Sequence, residues 1–169
     1  MKCPGFGLVD LLKDKEEVVG IEIGCDEAVT TDYLLEKLPN LKLYTIDPYS
    51  EYYDWNGTRV EERTHIFEQA KNRLAKYGER VIMVKQPSSE VFHMFEDGSL
   101  DFVFVDGIHT YEGVITDCRN YYSKVKEGGI FSGHDYTMIP DVNRAVTEFS
   151  LEVAKPVRTT EVDVWYWYK

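Results

Sequence analysis

Two short segments carry most of the side chains that could do chemistry in this chain. Asp106-Gly-Ile-His109 and the pair His134-Asp135 each follow a run that reads as a buried strand, Leu100–Val105 and Gly129–Gly133. One amphipathic helix separates the two segments, as in a crossover connection between parallel strands. Such strands present their carboxyl ends at one edge of a sheet, where open α/β sheets bind ligands. We therefore expect two carboxylates and two imidazoles to meet at that edge.

The elements that must position these groups alternate between strands and helices. Short β-branched runs predict the strands, and apolar residues at helical spacing predict the helices. The predicted strands are 18–24, 42–47, 80–85, 101–105 and 129–133, followed by a hairpin-like pair, 157–160 and 162–168. The predicted helices cover Thr31–Leu38, Ile66–Tyr77, a short segment that begins with Ser88 as its cap, Tyr111–Val125 and Val142–Phe149. This order predicts an α/β fold, a Rossmann-like, doubly wound and mostly parallel sheet with a C-terminal antiparallel strand.

Composition limits the classes of function. The 169 residues, 43% of them apolar, fit a single domain over residues 1–169 with a sizeable core. We find neither a run of membrane-spanning length nor the apolar stretch of a signal peptide in residues 1–7. The formal charge of -11 argues against broad contact with nucleic acid. Three cysteines without metal-site spacing favour a reduced, cytoplasmic setting. A small-molecule partner is therefore expected, without nucleic acid or membrane.

The turn after the first predicted strand has features of a nucleoside site. Gly24 permits a tight turn and close backbone approach, and Asp47 ends the second strand at about the 20-residue offset of a ribose-binding acid. The dinucleotide fingerprint is absent, because Asp26 and Val29 occupy positions where it needs glycine. Acidic groups at Glu22 and Asp26 would repel a pyrophosphate. They suit an adenosyl ligand with a positively charged tail, while a plain packing turn remains the alternative.

The segments at the later strand ends form a more specific pattern. Asp106-Gly-Ile-His-Thr-Tyr111 is followed by Glu112-Gly-Val114 and Asp117, and then by Gly128-Gly-Ile-Phe-Ser-Gly-His-Asp-Tyr136. This pattern is similar to that of a small family of class I S-adenosylmethionine-dependent methyltransferases, and the resemblance spans roughly residues 18–150.

Two departures and a set of implied roles follow from the resemblance. Ala28 stands where the glycine-rich turn often has its last glycine, and Ile108 replaces the usual second acid, which removes one ligand or proton acceptor. The implied S-adenosylmethionine site comprises Glu22, Gly24 and Asp26 on the methionine side, Asp47 at the ribose, Gln86 and Ser88 near the adenine, and Asp106. For Gln86 and Ser88, which follow strand three, the alternative is a structural role as a turn and a helix cap.

The acids and imidazoles at the later strand ends suit the needs of methyl transfer. The enzyme must align a nucleophile with the methyl group and remove its proton. Asp106 and Asp135 could hold a divalent ion such as Mg²⁺, which would lower the pKa of an acceptor hydroxyl. His134 or His109 could complete the coordination or act as general base. Alternatively, Asp106 caps the next helix, His109 bonds to backbone, and Asp135 holds the following loop.

Three functions compete on these residues. The preferred one is a small-molecule methyltransferase acting on oxygen with assistance from a divalent metal. The second is a non-catalytic S-adenosylmethionine-binding protein or a subunit of a larger enzyme. A nicotinamide-dependent oxidoreductase is the third, and the missing glycines argue against it. The aromatic segment 49–63 could form a lid or acceptor pocket, or could pack on the next helix. The choice of acceptor must come from such loops or from a partner subunit. A homo-oligomer is therefore one of the alternatives for the oligomeric state.

Overall fold

Five parallel strands form the centre of the sheet. The structure is a computed structural model that describes residues 3–169, so Met1 and Lys2 lie outside the described part. The strands of the main sheet are β1 Val18–Ile23, β2 Leu41–Ile46, β5 Val81–Val84, β6 Leu100–Val105, β7 Val125–Gly133, β8 Arg158–Thr159 and β9 Trp165–Tyr168. They lie in the order β5-β2-β1-β6-β7-β9-β8, and β9 runs antiparallel to β7 and β8. The predicted fold class is confirmed, including the antiparallel C-terminal strand.

Helices cover both faces of this sheet. They are α1 Gly5–Leu12, α2 Val29–Lys37, α3 Thr64–Leu74, α4 Ser88–Val91, α5 Tyr111–Tyr121 and α6 Pro140–Glu152. One core cluster joins α1, α2 and α3 to the sheet, and the other joins α4, α5 and α6 to the opposite face. Among residues 3–169, none of these helices has the length and apolar character needed to span a bilayer.

Strand β6 shows why the sequence folds into these layers. Phe102 and Phe104 pack into the cluster with α1–α3, whereas Val103 and Val105 pack into the cluster with α4–α6. Side chains alternate between the two faces of a strand, so a strand covered on both sides carries apolar residues on both faces. All six residues of β6 are buried, which is the pattern of a central parallel strand.

The helix after β6 ends earlier than the apolar spacing predicted. A 3₁₀ turn, Tyr122–Lys124, follows α5, and Val125 already pairs with Leu100 as the first residue of β7. The Tyr122 ring packs edge-on against Phe131 of β7, at 5.4 Å between ring centroids. Both apolar residues therefore belong to the core, but they reach it from a turn and a strand.

Three local features differ from the expectations. Helix α1 was not predicted, although Leu8 and Leu12 are fully buried in the same core cluster as α2. The aromatic segment 49–63 contains a two-stranded hairpin, β3 Tyr52–Tyr53 and β4 Arg59–Val60. The expected cap role of Ser88 is wrong, because Pro87 occupies the N-cap position and no side chain caps the helix.

The contact between β1 and β6 leaves no room for a side chain at Gly20. A Cβ atom there would collide with the Phe102 ring. We expect Gly20→Ala to lower the free energy of unfolding by about 1–3 kcal/mol through overpacking. Urea unfolding measures this, with exposed Glu16→Ala as a control that should stay within about 0.5 kcal/mol. An unchanged urea midpoint for Gly20→Ala would contradict the packing of β1 on β6.

Candidate active site

A row of backbone hydrogen bonds ties neighbouring strand ends together at the carboxyl edge of the sheet. The residue after each strand donates its N–H to the last carbonyl of the adjacent strand. These bonds, 2.8–3.1 Å long, join Asp47 to Val84, Gly24 to Ile46, Asp106 to Ile23, and His134 to Val105. We call the four donor residues, Asp47, Gly24, Asp106 and His134, the edge row. The sheet therefore fixes their order and spacing.

All four residues of the edge row line one cavity of about 720 Å³. That volume is within the usual range for a small-molecule site. The lining is strongly acidic, and Arg63 is the one Lys or Arg among the described residues that form it. The acidic residues of the lining are Glu22, Asp26, Glu27, Asp47, Asp106, Glu112, Asp117 and Asp135. Such a surface favours a ligand that carries positive charge.

Gly24 lets the first turn lie directly against the end of β6. Its φ is +93°, and a Cβ atom there would collide with the carbonyl oxygen of Asp106. Only glycine combines that backbone conformation with that close approach. The turn glycine noted in the sequence therefore brings two strand ends together.

The Asp47 carboxylate is held in position by the backbone around it. Its Oδ1 accepts the N–H of Tyr49 at 2.8 Å, and its Oδ2 accepts the N–H of Asp26 at 2.9 Å. An ionised carboxylate has about four lone-pair sites, so both oxygens can accept further bonds from hydroxyl groups. Asp47 therefore combines a fixed orientation with spare acceptor capacity in the cavity.

Glu22 is a lining residue that is only 1% exposed. The hydroxyl of Thr31 donates to its Oε2, and that of Thr45 donates to the same atom at 3.5 Å. Burial raises the pKa of the Glu22 carboxyl to about 8, despite these hydroxyls, which favour ionisation. Glu22 is therefore mostly protonated at neutral pH in the ligand-free protein.

Asp106, His134 and Asp135 form a group with the donors of a metal site. One ligand atom from each lies within 4.8 Å of the others. His134 Nε2 lies 2.9 Å from the carbonyl oxygen of Val162, to which it donates, and Nδ1 faces Asp135 Oδ1 at 3.1 Å. A backbone acceptor on one ring nitrogen is the usual device that orients the other toward a metal.

His109 joins this group to the β3–β4 hairpin. Its Nε2 lies 3.2 Å from Asp135 Oδ2, and its Nδ1 lies 3.3 Å from Asp54 Oδ1. Burial opposes its protonation, but the carboxylates of Asp106 and Asp135 outweigh this and raise the pKa of His109 to about 10. The protonated ring therefore neutralises the acids around it.

The pKa values of the other three groups reflect the same charges. Burial would raise the pKa of Asp135, but the two imidazoles hold it below its usual range. The pKa of Asp106 is raised, chiefly by burial. Burial lowers the pKa of His134, yet Asp135 and Asp106 more than offset this and raise it. Asp135 also has a left-handed φ of 62°, a strained conformation that the surrounding contacts maintain.

Structural roles expected as alternatives are partly taken by other residues. Thr110, and not Asp106, caps α5, since its hydroxyl accepts the N–H of Gly113 at 3.2 Å. Tyr111 N–H is bound by the carboxylate of Asp141 at 3.1 Å. The side chain of Asp106 is therefore available to the cavity.

The aromatic segment divides between core and cavity. Tyr49 is buried, packs on Phe67 at 5.2 Å between ring centroids, and donates its hydroxyl to the Asp26 carbonyl at 3.0 Å. Tyr52 lines the cavity, whereas Trp55 at the hairpin tip is 41% exposed. Packing on the next helix is therefore confirmed for Tyr49, whereas a lid or acceptor pocket stays a prediction for the rest of the segment.

The two residues expected near the adenine lie in different surroundings. Ser88 lines the cavity and donates its hydroxyl to Asp117 Oδ1 at 2.6 Å. Gln86 is exposed and does not belong to the lining. Arg63 was noted only as part of the aromatic segment, yet it pairs with Asp26 at the cavity mouth. Asp54 and Thr31 had no assigned role, because only the folded loops bring them to His109 and Glu22.

Comparison with known proteins now identifies the family. A family model described as a methyltransferase domain matches residues 21–136. The chain belongs to this family. The matched segment contains the whole edge row and Asp135, and it covers more than half of the chain.

The fold comparisons agree with this assignment. A Staphylococcus aureus protein described as a candidate caffeoyl-CoA O-methyltransferase matches with a TM-score of 0.72, at 14% identity over 98% of this chain and 82% of its own. The O-methyltransferase NovP matches with a TM-score of 0.68, at 19% identity over 95% of this chain and 74% of its own. The methyltransferase PaMTH1 of Podospora anserina, solved with S-adenosylhomocysteine, matches with a TM-score of 0.66, at 16% identity over 98% and 77% of the two chains. These likenesses show a shared fold.

One curated sequence relative is also informative about length. An uncharacterised protein of Acanthamoeba polyphaga mimivirus is 24% identical over 147 residues, which cover 83% of this chain. The aligned part is 62% of that relative, so the chain spans less than two thirds of it.

The raised pKa of Glu22 predicts a pH-dependent stability. Because the folded form binds this proton more tightly than the unfolded form, the contribution of Glu22 falls as pH rises from about 4.5 to about 8. Glu22→Gln removes that dependence, so its urea midpoint should fall less than that of the wild type between pH 5 and pH 9. Parallel midpoint curves for the two proteins would show that Glu22 titrates normally in the folded state.

Proposed function

We propose that this methyltransferase transfers a methyl group from S-adenosylmethionine to an oxygen atom of a small-molecule acceptor, assisted by a divalent cation. The observation that carries the proposal is the edge row. It combines a backbone-held acid suited to ribose, Asp47, with the acid–imidazole group of Asp106 and His134 in one cavity. The sheet thereby provides both halves of a methyl-transfer site.

The cavity fits the charge of S-adenosylmethionine, which when bound supplies an already activated methyl group. Its acidic lining complements a sulfonium and an ammonium group. We assign Asp47 to the ribose hydroxyls, and Glu22, Gly24 and Asp26 to the methionine side. Arg63 lies beside Asp26 and could receive the carboxylate of the methionine part.

The residues at the later strand ends fit a divalent cation. Two carboxylates and one imidazole, from Asp106, Asp135 and His134, offer ligand atoms within 4.8 Å of one another. Oxygen donors suit Mg²⁺, and the imidazole makes Mn²⁺ an equally suitable occupant. When bound, such an ion would lower the pKa of an acceptor hydroxyl.

We assign the general base to the imidazole pair, with His109 preferred. His134 directs Nδ1 at the two carboxylates and is committed through Nε2 to Val162. A cation held by Asp106 and Asp135 would draw on the carboxylates that otherwise stabilise the proton on His109. The neutral His109 ring would then be the base for the acceptor hydroxyl, and Asp54, 3.3 Å from its Nδ1, would stabilise the charge that it gains.

A second candidate is a protein that binds S-adenosylmethionine without turnover. Ile108 favours it, since this apolar residue replaces an acid of the resembling family. Release of S-adenosylhomocysteine in an acceptor screen separates the two candidates. Product formation that depends on both His109 and Asp135 supports the enzyme, whereas tight cofactor binding without product supports the binding protein.

The cofactor assignment predicts a selective nucleoside site. S-adenosylhomocysteine should bind the wild-type protein in calorimetry, and NADH should not. Asp47→Asn should weaken S-adenosylhomocysteine about tenfold or more, because it removes the charged acceptor at the ribose.

The control for this prediction lies in the same loop. Glu51→Gln removes an exposed carboxylate that pairs with Arg59, so the affinity should stay within about threefold. Equal losses in the two variants, or NADH binding to the wild type, would contradict the assignment of Asp47.

The metal assignment is tested by titration with Mg²⁺ and with Mn²⁺. Wild-type protein should bind at least one of the ions, and Asp135→Ala should abolish that binding by removing a ligand. Asp26→Asn removes an acid from the same cavity outside the ligand group, so its affinity should stay within about threefold. Undetectable binding of both ions to the wild type would remove metal assistance from the proposal.

A further inference from the structure

A buried acid lines the cavity beside Ser88, away from the candidate metal ligands Asp106, His134 and Asp135. Asp117 on α5 is 3% exposed, and its side chain lines the cavity beside Pro87 and Ser88. Ser88 follows β5, whereas Asp135 follows β7, and three strands separate β5 from β7 in the sheet. Asp117 therefore faces a different part of any ligand from the part that meets Asp135.

The Asp117 carboxyl has one partner and a free oxygen. Ser88 donates its hydroxyl to Oδ1 at 2.6 Å, and the Tyr121 hydroxyl holds Ser88 by donating to its carbonyl at 2.8 Å. Within residues 3–169, no other group hydrogen-bonds the Asp117 carboxyl. Burying an acid with one partner is unfavourable unless the second oxygen is also satisfied. Because Asp117 lines the cavity, a ligand can supply that missing donor.

We infer that Asp117 is a specificity-determining residue that accepts a hydrogen bond from the exocyclic amino group of the cofactor adenine. The inference rests on the proposed function, in which Asp47 holds the ribose at the end of β2. Strand β5 is the neighbour of β2 on the side away from Asp106, His134 and Asp135, and we place the base on that side, beside Ser88 and Asp117. Adenine presents an amino donor at its six position, whereas hypoxanthine presents an oxygen acceptor there.

The state of the carboxyl is compatible with this role. Burial raises the pKa of Asp117 to about 7, although the hydrogen bond from Ser88 lowers it. At pH 8.5 the group is mostly ionised and is an acceptor only. An ionised carboxylate facing the six-oxygen of hypoxanthine would place two acceptors together, which disfavours that base.

Calorimetry with S-adenosylhomocysteine and S-inosylhomocysteine at pH 8.5 tests the inference. Wild-type protein should prefer the adenine compound by at least about tenfold. In Asp117→Asn the amide can donate to the six-oxygen, so the preference should fall to within about threefold. Ser88→Ala keeps the carboxylate, so it should weaken both compounds by a similar factor and retain the preference.

The outcomes separate this inference from the function on which it rests. If wild-type protein does not bind S-adenosylhomocysteine, the proposed function and the inference both fall. If it binds but does not discriminate, or if Asp117→Asn weakens both compounds equally, the inference alone is overturned. Should Asp117→Asn not fold, Asp117→Ser provides the same test, because its hydroxyl can also donate to the six-oxygen.

Discussion

The hydrogen bonds of the edge row are the constraint on which the site depends. Each continues a strand pairing by one residue, so Asp47, Gly24, Asp106 and His134 leave the sheet side by side. Backbone groups make these bonds, so they set the positions without dictating the side chains. Gly24 is the exception, since its contact with the Asp106 carbonyl leaves no room for a Cβ atom. Chemistry can therefore vary along the edge while the geometry stays the same.

Charge balance is the second constraint on this edge. The cavity collects many carboxyl groups, and the ligand-free protein moderates their repulsion in three ways. Glu22 keeps its proton because it is buried, His109 is protonated between acids, and Arg63 pairs with Asp26. These arrangements are exchangeable, since a cationic ligand or a metal ion can replace a proton or an arginine as the neutralising charge. An acidic cavity of this kind is thus prepared for positively charged occupants.

Much of the fold could be predicted from local patterns. The β-branched and apolar runs that became β1, β2, β5 and β6 are long enough to identify, and their alternation with helices implies parallel strands. The same logic predicted that Asp106, His109, His134 and Asp135 would meet, and the structure brings them into contact. Helix α1 was not predicted, because its sequence has two glycines and too few polar residues to distinguish a polar face from an apolar one.

Contacts that depend on loop conformation could not be predicted from local patterns. His109 meets Asp54 across 55 positions, and Ser88 meets Asp117 across 29. Neither pair follows from helical or strand periodicity, because the hairpin and the turn after β5 fix them. Ser88 illustrates the consequence. Its position at the start of a short helix suggested a cap, whereas its hydroxyl donates a hydrogen bond to Asp117 on α5.

A crystal structure with S-adenosylhomocysteine and Mn²⁺ tests the central claim most directly, because anomalous scattering locates the ion independently. The account predicts ribose hydroxyls within hydrogen-bonding distance of Asp47. It also predicts an anomalous peak for Mn²⁺ that is coordinated by Asp106, His134 and Asp135. A ligand bound away from the edge row, or an Asp47 carboxylate turned from the ribose, would contradict it.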